Sequence, residues 1–183
     1  MKNWIQTYTG RRVDPTDMSL EDVDIEDIAH ALALTNRFTG HTPEPYSVAQ
    51  HSVIVSVLCP VKCKMWGLLH DAAEAYFADI SRPVKVAIAE TSGRVLTNVE
   101  ARIMNAVCAR FNLPFEEPAE VKVADDTALA NEAFSFFGST PNYKHWQHRF
   151  DNGYKSMGFK IVPVPWQEAE RRFLRRFDLL NKI

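Results

Sequence analysis

The chain has 183 residues, of which 46% are hydrophobic and 24% are charged, and this size and composition favour one globular domain with a full hydrophobic core. The formal net charge of −2 provides no general attraction for a nucleic-acid backbone, so polymeric nucleic acid is disfavoured as a partner. No window approaches the roughly 18 unbroken apolar residues of a membrane span, and the amino terminus lacks the apolar stretch of a signal peptide, so we expect a soluble, cytoplasmic protein.

The amino-terminal part predicts an extended lead followed by a helix. Residues 1 to about 22 contain Gly10 and other pattern breakers, which favour an irregular or extended segment that can include a short strand. The first helix is predicted over about residues 25–36, because apolar residues recur at intervals of three and four. Asp24 is suited to cap its first turn.

The next two helices are predicted from a cap and from periodicity. Ser47 is followed three residues later by Gln50, which has the pattern of a capping box and predicts a second helix that ends before Pro60. A third helix is predicted over about residues 62–76.

The rest of the chain predicts four more helices, which makes an all-α bundle of six or seven helices. Ser81 and Pro83 are typical of the start of a short fourth helix. The sixth should end at Gly138 in a left-handed cap, and a polar loop should then lead to a final amphipathic helix. The fifth, sixth and last helices are predicted over about residues 94–111, 119–137 and 166–180.

The adjacent residues His70 and Asp71 are central to a prediction of function. They lie in an otherwise apolar helix, where an ionised carboxylate without a partner costs several kcal/mol. Glu74 follows Asp71 by three residues and His70 by four, so all three side chains share one helical face. Together they indicate a metal site or a hydrogen-bonded polar cluster.

Two other residues complete a candidate ligand set. His51 lies in the first turn of the second predicted helix, and Asp125 is an acidic residue in a mostly apolar stripe. Two imidazoles and two carboxylates suit one divalent ion, which could be Mn, Co, Fe, Zn or Mg. Four protein ligands on a six-coordinate ion leave positions open for water and substrate, as catalysis requires.

The same residues resemble the H…HD…D signature of HD-domain phosphohydrolases. The resemblance covers about residues 5–137. Within this superfamily, the sequence is similar in particular to bacterial and prophage 5′-deoxynucleotidases and to phage dATP triphosphohydrolases. It implies an HD-domain helical bundle, with a core at about residues 22–137 and a carboxy-terminal loop and helix at 138–183, all in one domain of 1–183. The matching segments are 37–38, 46–52, 70–76, 79–80, 82–85 and 121–125.

The resemblance also implies residue roles. It assigns His51, His70, Asp71 and Asp125 as metal ligands, and Glu74 as the acid/base partner of the attacking water. Asp79 would be a second catalytic carboxylate near the leaving oxygen.

Basic residues at matching positions are expected to bind phosphate, because negative charge builds up on the phosphoryl oxygens during displacement. They are Arg37, Lys85 and Lys122, and for each of them an ordinary surface salt bridge is the alternative, less so for Arg37 than for the two lysines. Phe38 is a candidate contact for the base or sugar, and His41 a candidate substrate contact.

The sequence leaves several functions open. A 5′-deoxynucleotidase on deoxynucleoside monophosphates is favoured over a triphosphohydrolase of deoxynucleoside triphosphates. The third hypothesis is a non-catalytic module that binds a metal or nucleotide. Hydrolases of (p)ppGpp are disfavoured because Ala75 follows Glu74 where they carry a second carboxylate. Cyclic-dinucleotide phosphodiesterases are disfavoured because their GYP triplet is missing. The related enzymes form dimers or larger rings, so a homo-oligomer is expected.

Overall fold

A computed structural model describes residues 3–93, 95–151 and 153–182. Arg94, at the predicted start of the fifth helix, and the terminal residues 1, 2 and 183 of the predicted domain lie outside the described residues. The elements are β1 Ile5–Gln6, β2 Arg12–Val13, α1 Ile25–Leu34, α2 Val48–Leu58, α3 Lys64–Leu69, α4 Glu74–Phe77, α5 Arg82–Ser92, α6 Val95–Arg110, α7 Ala119–Phe137, α8 Lys144–Asp151 and α9 Trp166–Leu180, with 3₁₀ turns at Leu20–Asp22, Arg37–Gly40 and Val61–Cys63.

The predicted all-α fold is confirmed, and the amino-terminal lead forms a minimal hairpin. Strands β1 and β2 pair antiparallel, with Ile5 opposite Val13. Helix α1 begins as predicted, since the side chain of Asp24 accepts a hydrogen bond from the backbone of Glu26.

The predicted capping box at the start of α2 is only half formed. Ser47 accepts a hydrogen bond from the backbone N–H of Gln50. The side chain of Gln50 instead donates to the carbonyl of Val162 at 2.8 Å and accepts from the N–H of Val164 at 2.9 Å. Gln50 therefore ties α2 to the segment that precedes α9, a contact that local sequence does not reveal.

The prediction of one continuous third helix is wrong, because the chain tightens between α3 and α4. Ala72 donates its backbone N–H to the carbonyl of Leu69, and Glu74 donates to that of Asp71. These bonds join residues three apart, as in a 3₁₀-helix, whose side chains at i and i+3 are aligned. Asp71 and Glu74 therefore lie one above the other.

Two predictions beyond α6 are corrected. Gly138 ends α7 with φ −55° and ψ −25°, so it is right-handed rather than left-handed. A Cβ at this position would collide with the carbonyl oxygen of Phe134, which explains the glycine. The predicted polar loop contains α8, and with the divided third helix this gives nine α-helices within the described residues.

The main core forms where α9 packs against α1, α2 and α3. Phe173 is fully buried and Phe177 nearly so, in one cluster with Ile28 and Leu32 of α1 and Leu68 of α3. The final helix thus closes a core that also contains Val48 and Ala49, which lie in the same helical turn as His51. None of the helices in the described ranges has the length and apolar character needed to cross a membrane.

Phe173→Ala should lower the free energy of unfolding by about 3–5 kcal/mol, because it removes a fully buried aromatic side chain from the shared core. Urea denaturation followed by circular dichroism measures this change. Leu179→Ala, at a position 49% exposed on the same helix, is the matched control and should change stability by about 0.5 kcal/mol or less. Equal effects of the two substitutions would contradict the packing described for α9.

Candidate metal centre and cleft

His51 is a fully buried histidine in the first turn of α2. Its Nδ1 lies 2.6 Å from Oε1 of Glu132, so the carboxylate accepts a hydrogen bond from this nitrogen and leaves Nε2 to face the cluster. Burial and the nearby Arg37 oppose protonation, yet Glu132 and Asp125 together raise the pKa of His51 to about 9.

His70 follows α3 directly and is oriented in the same way. Its Nδ1 donates to the backbone carbonyl of Gly67 at 2.9 Å, which again leaves Nε2 for the cluster. Gly67 also allows α3 to lie close to α2, since a Cβ there would lie 3.4 Å from Cα of Ser56 and 2.6 Å from Sγ of Cys59, the residue after α2. The two helices approach closely enough for both imidazoles to meet.

Four side chains converge where these nitrogens meet. The Nε2 atoms of His51 and His70 are 3.2 Å apart, and Oδ1 of Asp125 lies 3.3 Å from the first and 4.0 Å from the second. Oδ2 of Asp71 lies 3.2 Å from Nε2 of His70 and 3.6 Å from that of His51. The four predicted ligands are therefore brought together.

These separations fit one metal ion. Ligands at about 2.1 Å from an ion lie about 3.0 Å apart at right angles and about 3.4 Å apart in a tetrahedron. His51, His70 and Asp125 each offer a donor atom, and the three atoms lie within 4.8 Å of one another. With Nδ1 of each ring engaged as a donor, the two facing Nε2 atoms need a proton or a metal ion between them. The cluster can therefore hold a metal ion.

Glu132 was not predicted, although it anchors the whole site. It is fully buried on α7 and, besides His51, accepts a hydrogen bond from the hydroxyl of Tyr46 at 2.8 Å and from Nε of Arg37 at 3.2 Å. Burial opposes ionisation, but Arg37 and His51 lower the pKa of Glu132 to about 2. Its spacing of seven residues from Asp125, two helical turns, is the signal that could have revealed it.

Arg37 lies between two carboxylates. Besides Glu132 it contacts Oδ2 of Asp71 through Nη1 at 3.5 Å, and these charges raise its pKa despite burial. The chain then turns through Phe38 and Thr39, which have φ of +54° and +53°. Such left-handed conformations are costly for residues other than glycine, and they cluster at functional sites. The turn directs Phe38 toward the cleft.

An open cleft of about 900 Å³ leads to the cluster. Its described lining comes from the Arg37–Gly40 turn, the segment from the end of α3 to the start of α5, and α6, α7 and α8. The lining residues are Arg37, Phe38, Asp71, Glu74, Asp79, Ile80, Ser81, Arg82, Pro83, Lys85, Val86, Glu100, Lys122, Asp125, Asp126, Leu129, Trp146 and Arg149.

Both predicted catalytic carboxylates line this cleft. Glu74 is 7% exposed, and its Oε2 has no hydrogen-bond partner among the described residues. Burial, with the nearby charges of Asp71 and Asp79, raises the pKa of Glu74 well above the usual range. Ala78, at φ +70°, turns the chain after α4 and brings Asp79 to the wall, where burial raises the pKa of Asp79 too.

The predicted phosphate-binding lysines line the cleft but are paired. Nζ of Lys85 lies 2.9 Å from Glu100 of α6, and Nζ of Lys122 lies 3.0 Å from Asp125 and 3.1 Å from Asp126. These pairs are only partly buried, so they can exchange partners at small cost. Their position in the wall puts both charges within the same concave surface as the cluster.

The structure adds some residues to the predicted set and leaves one out. His41 is exposed and does not line the described part of the cleft. Trp146 and Arg149 of α8 line it instead, although the sequence around them predicted a loop. Asp126 holds Arg149 through a contact of 3.3 Å.

The fold and the cluster define an all-helical protein with a candidate metal centre at the base of an open cleft. No family model matches the chain. It is 40% identical over 130 residues to an uncharacterised protein of Rhodobacter capsulatus, an alignment that spans 66% of this chain and 64% of that protein, less than two thirds of its length.

The chain is also 35% identical over 181 residues to the uncharacterised protein YfdR of Escherichia coli, which covers 99% of this chain and 97% of YfdR. It therefore belongs to the same protein family as YfdR.

Glu132→Gln should weaken binding of Mn²⁺ by about 10- to 100-fold, because it keeps the shape of the side chain but removes the charge that orients His51. Isothermal titration calorimetry on metal-stripped protein measures the affinity. Glu170→Gln is the matched control, since Glu170 pairs with His30 at 3.3 Å away from the cleft. If the two variants bound Mn²⁺ equally well, Glu132 would have no part in the metal centre.

Proposed function

We propose that the protein is a metal-dependent phosphohydrolase that removes the 5′-phosphate from a deoxynucleoside monophosphate. One observation carries the proposal: the cluster of two imidazoles and two carboxylates opens into a cleft that also holds five basic side chains and the buried carboxylate of Glu74, whose Oε2 has no hydrogen-bond partner among the described residues. The resemblance to HD-domain phosphohydrolases supports the same conclusion, because every residue of the H…HD…D signature lies in the cluster.

His51, His70, Asp71 and Asp125 would hold the ion. When bound, a divalent ion supplies a Lewis acid that polarises a phosphoryl oxygen and makes water more acidic. The mixed nitrogen and oxygen ligands suit Mn, Co, Fe, Zn or Mg.

Glu74 is the base in this proposal. Its Oε2, which has no hydrogen-bond partner among the described residues, is able to accept a hydrogen bond from water. Burial and the charges of Asp71 and Asp79 raise the pKa of Glu74, and a bound cation beside them would offset those charges and favour the ionised form that a base requires. As the water oxygen bonds to phosphorus, the bond from phosphorus to the 5′-oxygen breaks and Glu74 takes the proton from water. Asp79, whose pKa burial also raises, gives a proton to the departing 5′-oxygen.

Arg37, Lys85 and Lys122 would bind the phosphate oxygens. Charge on these oxygens grows during displacement, so fixed cations in a partly desolvated wall stabilise the transition state. Salt bridges to Glu100 and Asp125 keep the ammonium groups of Lys85 and Lys122 beside the cleft rather than extended into solvent. Phe38 adds an apolar contact for the sugar or base.

The charge balance of the cleft favours a monophosphate over a triphosphate. The described lining contains five basic and six acidic residues, and one of the acidic residues, Asp79, is protonated in this mechanism, so a divalent ion would bring the formal charge of the lining to about +2. A phosphate monoester carries a charge of about −1.5 to −2 at neutral pH and balances such a cleft. A triphosphate brings two more charged phosphoryl groups, for which the lining has few unpaired cations.

Metal-stripped protein supplied with Mn²⁺, Co²⁺, Zn²⁺ or Mg²⁺ should convert deoxynucleoside monophosphates to nucleoside and inorganic phosphate. Ion-exchange chromatography separates these products from those of the triphosphates. Release of triphosphate from deoxynucleoside triphosphates would instead establish the alternative enzyme. If no nucleotide is turned over with any metal, the chain is a binding module and the proposal fails.

Glu74→Gln should lower kcat by about 10²- to 10⁴-fold, because it removes the base, while Mn²⁺ affinity should change little. Steady-state kinetics and calorimetry measure the two quantities. Glu90→Gln, at an exposed position on α5, is the control and should keep the activity of the unmodified protein. Full activity of Glu74→Gln would remove Glu74 from the mechanism.

A further inference from the structure

We infer that α8 builds the subsite for the nucleobase, with the indole of Trp146 as the surface on which the base stacks. The inference rests on the proposed function and extends it, since it identifies where the part of the substrate far from the phosphate is bound. Neither the metal cluster nor the carboxylates of the mechanism belong to this helix.

Trp146 is a partly buried aromatic residue in the cleft wall. Its ring lies nearly parallel to that of Phe137, 21° between planes and 6.2 Å between centroids, and edge-on to that of Phe38 at 6.0 Å. These neighbours fix the indole while part of it lines open space. A fixed ring beside a cavity is suited to stacking, because little side-chain freedom is lost on binding.

A shared carboxylate couples this wall to the metal cluster. Asp126, next to the ligand Asp125, contacts Nη1 of Arg149 at 3.3 Å and Nζ of Lys122 at 3.1 Å, and accepts a hydrogen bond from the hydroxyl of Tyr154 at 3.1 Å. Helix α8 is therefore held at a set distance from the candidate ligand on α7, Asp125. A nucleotide whose phosphate reaches the cluster would extend along this wall.

The chemistry of the wall fits a heteroaromatic base. Trp146 and Phe38 supply aromatic surfaces and Leu129 an apolar one, and the guanidinium of Arg149 lies 5.7 Å from the indole centroid. Nε of Arg149 is buried and has no hydrogen-bond partner in the described part of the chain. A carbonyl oxygen or ring nitrogen of a base could supply the missing acceptor after a small side-chain movement.

The part of the described lining that leads into α5 differs from α8. Its apolar residues are aliphatic, namely Ile80 before α5 and Pro83 and Val86 within it, with Lys85 beside them. Aliphatic and charged groups suit the sugar and phosphate better than a planar base. The base of a nucleotide would therefore bind at α8, and the sugar and phosphate near the start of α5.

The test compares deoxynucleoside monophosphates with 2-deoxyribose 5-phosphate, which lacks a base. Trp146→Ala should lower kcat/KM for the nucleotides by at least about fivefold, the effect of losing one stacking contact, and leave that for the sugar phosphate within about twofold. Trp146→Phe retains a ring and should lie between the two. The control is His148→Ala, which alters an exposed residue of the same helix and should match the unmodified protein.

Binding provides a readout that does not depend on turnover. Calorimetry with metal-loaded Glu74→Gln protein should show tighter binding of the nucleotides than of the sugar phosphate, and addition of Trp146→Ala should remove that preference. If the preference survives, or if both ligands weaken equally, Trp146 is not the base subsite, whatever the activity. If nothing is hydrolysed, the proposed function fails, and the binding preference alone still decides the inference.

Discussion

The hydrogen bonds to the buried carboxylate of Glu132 are the interaction on which the site depends. A fully buried charge must be compensated, and here one guanidinium, one imidazole and one phenol do so together. In return, the carboxylate fixes the ring of His51 and holds Arg37 against Asp71. The same bonds join α7 to α2 and to the turn after α1, so the arrangement of the ligands and the packing of three elements have one cause.

The sequence allowed much of the architecture to be predicted, because periodicity and capping are local properties. The beginning of α1 and the end of α2 follow from Asp24 and Pro60. The division between α3 and α4 was missed, since the residues from His70 to Ala73 have no breaker and tighten only in the folded protein. Helix α8 was missed because its strongly polar composition resembles a loop.

The residues of the candidate site could likewise be predicted only in part. The four candidate ligands could be found from residue type and resemblance, and the structure brings them together. Glu132 could not be found by residue type alone, because an acidic residue in a helix is usually exposed and its burial depends on Arg37. The side chain of Gln50 was assigned to a local cap, whereas its partners lie more than one hundred residues away. A local sequence pattern gives no information about contacts between residues that are far apart in the chain.

The tight turn from His70 to Glu74 has a consequence for how this chain can tolerate change in length. In a 3₁₀ turn each residue advances about a third of a revolution, so one inserted or deleted residue would turn Glu74 away from the face of Asp71. The segment is constrained at both ends, by the close approach of α2 at Gly67 and by the left-handed conformation of Ala78, so the neighbouring backbone is poorly placed to compensate for such a shift. The relative position of Asp71 and Glu74 therefore depends on the number of residues between them as well as on the packing around them.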